Sequence, residues 1–101
     1  MFKPTTMDEY MDLVHEAIYE LEETRLAIED SAPEDDWDRY RPLMDPLDEL
    51  LRELYEAMTG GQYRFPSATD LPFMPIVERL GDDVPLKGLL KLINQVHRNG
   101  L

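Results

Sequence analysis

A chain of 101 residues has room for one core and no separate catalytic and binding domains, so residues 1–101 are expected to form a single domain. Hydrophobic residues at 43% and charged residues at 32% support a compact fold, and the absence of cysteine excludes disulfide frameworks, thiolate metal sites and cysteine nucleophiles. A net charge of -12 repels nucleic acid and anionic membranes, which excludes direct nucleic-acid binding and membrane association and favours a basic partner.

The opening Met-Phe-Lys-Pro-Thr-Thr has no apolar run of the signal-peptide kind, and a cytoplasmic location is the expectation. From about residue 5 to 30, Met7, Met11, Val14, Ile18, Leu21 and Ile28 recur at steps of three and four, broken only at Arg25, and predict a first helix with an apolar seam. Tyr10, Leu13 and Ala17 widen the stripe, so this helix should touch more than one neighbour. Thr5 or Thr6 suits the N-cap, with Asp8 and Glu9 in the first turn, where the helix dipole favours negative charge.

Ser31-Ala-Pro-Glu34 reads as a stop and restart with a capping box, and the short connection makes the next helix, about 34–59, antiparallel to the first. Its seam is more regular: Trp37, Tyr40, Met44, Leu47, Leu51, Leu54 and Met58 alternate steps of three and four without a miss. Pro42 and Pro46 fall inside it, so the helix is either bent there or starts afresh at Pro46; the unbroken phase favours one bent helix. Gly60 and Gly61 end it.

Residues 60–74 hold prolines and aromatics without a sustained period and predict an ordered loop, with Tyr63, Phe65 and Phe73 packed over the hairpin. A short helix is expected at about 75–80. A C-terminal helix at about 85–98 carries Leu86, Leu89, Leu90, Ile93 and Val96 on one face. The predicted fold is thus all-α: an acidic helical hairpin with a C-terminal helical segment at 75–101, resembling a three-helix bundle. Two helices cannot bury both wide stripes alone, so either the C-terminal helix or a second copy must complete the core.

Charge is uneven along the chain. Residues 1–59 carry 18 acidic and 5 basic side chains, net -13, whereas residues 60–101 carry 4 and 5, net +1. The acids are the solvated faces of two helices, a docking surface for a basic protein, an imitation of a phosphate array, or the mark of a salt-rich habitat. Glu34, Asp35, Asp36, Trp37 and Asp38 at the hairpin tip are the candidate partner-binding residues. They lack the glycine and terminal glutamate of a calcium-binding EF-hand.

Candidates for chemistry are few. His15 with Asp12 three residues before it resembles half of a carboxylate-bridged metal site, but the second helix has no histidine, so a dimer would have to supply the other half. His97 beside Arg98 reads as a C-terminal helix cap. Neither Ser31 nor Ser67 sits in a turn that activates a hydroxyl, and Gly60-Gly61 closes a helix instead of opening one on a phosphate. No enzyme signature and no cofactor site is read. The expected function is a non-enzymatic regulatory protein that binds another protein and self-associates as a dimer through the apolar seam. A nucleic-acid mimic that inhibits a DNA- or RNA-binding protein is the second reading, and a carboxylate and histidine metal site the third.

Overall fold

A computed structural model describes residues 3–30 and 39–101. Four helices follow in order, with no strand among the described residues: α1 (Met7–Glu29), α2 (Arg41–Thr59), α3 (Met74–Val77) and α4 (Pro85–Asn99). The capping box at 31–34, the tip acids and Trp37 lie outside the described residues.

At the start of α1 the cap falls on Thr6, whose hydroxyl accepts the Glu9 amide at 3.1 Å. The Glu9 carboxylate reaches back to the Thr5 hydroxyl at 2.7 Å and the Thr5 amide at 3.2 Å, and these bonds hold it below the usual carboxylate range. Tyr10, Leu13, Val14, Ala17, Leu21, Thr24 and Ile28 form the buried stripe, and the Thr24 hydroxyl is satisfied by the Glu20 carbonyl at 2.9 Å. The stripe is wide because α1 packs against both α2 and α4. Arg25, which breaks the seam, lies half-buried at its margin and pairs with Asp45 of α2 at 2.6 Å.

Helix α2 begins at Arg41, after a single tight turn at Arg39 and Tyr40. Pro42 therefore sits in the first turn, where its missing N–H has no partner to lose. Pro46 is interior and removes the bond to the Pro42 carbonyl, yet its ring faces solvent and the helix passes through without a change of phase. Leu43, Met44, Leu47, Leu51, Leu54 and Met58 stay on the buried side. The Arg41 guanidinium donates to the Ile28 carbonyl at 3.1 Å, tying the start of α2 to the end of α1.

The short helix α3 is four residues long, less than its predicted span. Arg79 and Leu80 continue it only as tight turns, their amides bonding the carbonyls of Ile76 and Val77 at 3.0 Å each. Pro85 opens α4 and Gly100, with φ +86, closes it in a conformation that favours glycine. Helix α4 completes the core: Leu21, Leu47, Leu51, Leu90 and Ile93 are fully buried within one chain. Of the seam residues, Val14, Leu21, Tyr40, Met44, Leu47, Leu51, Leu54 and Met58 are buried, and Met7, Met11 and Ile18 pack half-buried at its margin. The three-helix alternative is the one realised, so no second copy is needed to cover the seam.

One junction outside the helices is equally close-packed. The Tyr40 hydroxyl receives the Gly81 amide at 2.9 Å and an Arg39 guanidinium N–H at 2.7 Å. A methyl group at Gly81 would fall 2.6 Å from that hydroxyl and against the Asp83 carboxylate. Gly81→Ala should therefore lower stability by about 1–3 kcal/mol, as overpacking beside a buried ring does. A urea midpoint equal to that of the parent protein would contradict the packing described.

Candidate functional site

The loop after α2 is a strap laid across α1 and α4. Tyr63 and Phe65 cannot stay in water without cost, and their rings stack on each other at 5.1 Å between centroids. Phe65 meets the ring of Tyr10 edge-on at 5.3 Å. The peptide bond between Phe65 and Pro66 is cis. Polar residues of the last turns of α4 then hold the strap down. The Ser67 amide donates to the His97 carbonyl at 2.9 Å and the Leu71 amide to Asn94 Oδ1 at 2.8 Å. Asn94 Nδ2 and the Arg98 guanidinium both donate to Asp70 Oδ1, at 3.0 and 3.2 Å, and hold that carboxyl below the usual range.

Beneath the strap runs a chain of polar contacts. His97 Nδ1 lies 2.6 Å from the Tyr63 hydroxyl, which lies 2.9 Å from that of Tyr10, which donates to the Ile93 carbonyl at 3.0 Å. Burial, reinforced by the Tyr63 hydroxyl, pushes the Tyr10 phenol far above its ordinary value, and burial also raises Tyr63, so both stay neutral. Burial lowers His97 below 6.5, against the opposing pull of the Thr69 backbone and the Asp70 carboxylate. The reading of His97 as a cationic cap is thereby corrected. Its imidazole turns inward, 8% exposed, and is neutral near pH 7.

Between α2, the strap and α4 lies a cleft of about 400 Å³. Leu50 and Leu54 of α2 with Leu71 and Phe73 give it an apolar lining. Glu53, Arg64 and Asp70 contribute charge, and His97 lies on the α4 side. The Arg64 guanidinium is turned back on its own loop, donating to the carbonyls of Gly61 at 3.0 Å and Tyr63 at 3.3 Å. Asp70 is already paired with Arg98 and Asn94, so the Glu53 carboxylate is the charge the cleft offers a ligand. The combination suits an apolar body bearing a positive group.

The other candidates fall elsewhere. His15 is exposed, its ring 5.7 Å from that of Tyr55, in a hollow with Ile18, Arg52 and Glu56. Asp12 lines a different hollow with Pro4, Glu9, Leu13 and Glu16, and among the described residues no three metal-ligating side chains converge. Tyr63, Asp70 and Asn94 were not singled out as polar site residues from sequence; the one hint was a loop rich in proline and aromatics without a period. No protein-family model, curated protein or solved structure matches the chain. Among the described residues no helix is long and apolar enough to cross a membrane.

Proposed function

We propose that the protein is a non-enzymatic interaction domain that binds a basic, amphipathic segment of another protein in the cleft between α2 and the strap. The observation that carries this reading is the cleft itself, with an apolar lining and the carboxylate of Glu53 beside it. The surrounding field has the same sign. Helix α1 carries eight acidic residues and one arginine, and α2 carries five acidic residues and two arginines. Long-range attraction of this kind speeds encounter with a basic partner, while the apolar contacts set how long it stays.

A second copy is a poorer occupant, since two chains each carrying -12 repel one another and the seam that invited self-association is buried within one chain. Titration with a helical peptide of leucine and arginine tests the reading, with sedimentation reporting the mass of the free protein. Binding should weaken as salt rises, and Leu50→Glu with Glu53→Lys should reduce it by about tenfold or more, a difference of about 1.4 kcal/mol. Leu50 is only half-buried and Glu53 exposed, so this variant keeps its fold. Binding unchanged in the variant rules the cleft out. Binding lost instead on reversing Glu34, Asp35, Asp36 and Asp38 favours the phosphate mimic.

A further inference from the structure

The strap turns where it meets α3, and the turn is held from several sides. The Met74 amide bonds the Leu71 carbonyl at 3.1 Å, and those of Ile76 and Val77 bond the Phe73 carbonyl at 3.0 Å each. Phe73 and Val77 are buried beneath, and the Leu71 amide is tied to Asn94 of α4 at 2.8 Å. Residues 70–72 therefore form a fixed ridge, with the Pro72 ring exposed on top. Pro72 and Pro75 carry no N–H, so what the ridge shows to solvent there is ring carbon.

This ridge borders two hollows. On one side is the cleft of about 400 Å³, and on the other a hollow of about 300 Å³ to which Met74, Pro75 and Glu78 contribute. Asp70, Leu71 and Pro72 line both. The path from one to the other is apolar, from Leu54 and Phe73 over Leu71 and Pro72 to Met74 and Pro75. Its charges are spaced. In the middle, Asp70 is matched by Arg98 at 3.2 Å and bonded by Asn94 at 3.0 Å, and Arg64 is folded back on its own loop. At the two ends stand Glu53 and Glu78, both exposed, and among the described residues no cation is paired with either carboxylate. Arg79 follows Glu78 in the chain but does not line the hollow.

We propose that the segment bound in the cleft runs on over the ridge into the second hollow, with an apolar middle and a cationic residue at each end, one facing Glu53 and the other Glu78. This rests on the reading of the cleft as a partner site and specifies the chemistry of that partner. Two separated carboxylates select for spacing as well as charge, which one carboxylate cannot do. A segment with its cations too close together sets one of them on apolar surface or beside the already matched Asp70. Because the ridge is fixed by its own hydrogen bonds, little of it has to be ordered on binding.

NMR titration with synthetic peptides tests this, each with a leucine core and arginines at one end, at the other, or at both, the core length being varied. The two-ended peptide should bind about three- to tenfold tighter than the better one-ended peptide, with the gain greatest at one core length. It should shift the amides of both Glu53 and Glu78. Glu78→Lys should remove the gain, and since Glu78 is exposed the variant keeps its fold. Glu23→Lys on the exposed side of α1 alters net charge equally and should change affinity less than about twofold. No gain from the second end, or a Glu78→Lys variant that binds no worse than Glu23→Lys, overturns the inference. If Leu50→Glu with Glu53→Lys still weakens binding in that case, the cleft reading stands without the extension. Binding that survives Leu50→Glu with Glu53→Lys removes the cleft reading and the extension together.

Discussion

Leu47→Asp should abolish cooperative unfolding at neutral pH, leaving a chain with little fixed tertiary structure. Leu47 is 0% exposed, at the centre of the α2 face that meets α1. Removing its side chain from a packed core costs about 2–5 kcal/mol in lost burial and cavity. The carboxyl that replaces it must be protonated to stay inside, which costs about 4 kcal/mol at pH 7 for a group whose ordinary pKa is about 3.9. Together these come to about 6–9 kcal/mol, comparable with the whole stability of a domain of this size, about 5–15 kcal/mol. Near-ultraviolet circular dichroism and urea titration provide the check. Leu47→Met keeps the volume and should cost less than about 1.5 kcal/mol. A sharp Leu47→Asp transition at the parent midpoint would mean that α2 does not pack as described.

Tyr10→Ala should be nearly as damaging, at about 3–5 kcal/mol, because one ring links three parts of the chain. It is fully buried, packs on Tyr63 and Phe65 of the strap, and bonds the Ile93 carbonyl of α4. Tyr10→Phe keeps the ring and deletes only the hydroxyl, leaving the Ile93 carbonyl short of its donor, and should cost about 1–3 kcal/mol. Tyr63→Phe shortens the same polar chain from the other side. Combining the two should give a double-mutant coupling of about 0.5–3 kcal/mol, since each removes a partner of the other. Strict additivity would show that the two hydroxyls do not interact.

The parts of the fold legible in sequence are those written in local periods. The alternating steps of Met44, Leu47, Leu51, Leu54 and Met58 locate the inner face of α2 because an α-helix repeats every 3.6 residues whatever it packs against. Pro85 and Gly100 mark the ends of α4 because each has a local backbone preference. The beginning of α2 was less legible. Pro42 is harmless in a first turn and disruptive in an interior, and the seam's phase runs through both cases alike. The cleft was not legible at all. Its polar chain joins residues 10, 63, 93 and 97, brought together only by the packing of α4 on α1, and nothing local in His97-Arg98 distinguishes a ring that caps a helix from one that turns beneath a loop.

The order of the elements along the chain also bears on how the protein is made. The helix that closes the seam is α4, and the contact from Tyr10 to Ile93 spans 83 residues. During synthesis the hairpin emerges first, with the inner faces of α1 and α2 still open on the side that α4 will fill, and it must wait for residues 85–99 before its core can shut. An open apolar seam invites association with other unfinished chains. The acids of α1 and α2 are in place from the start of that interval and keep nascent hairpins apart by mutual repulsion. The carboxylates of α1 and α2 thus act before the fold is complete, as protection for the unfinished chain.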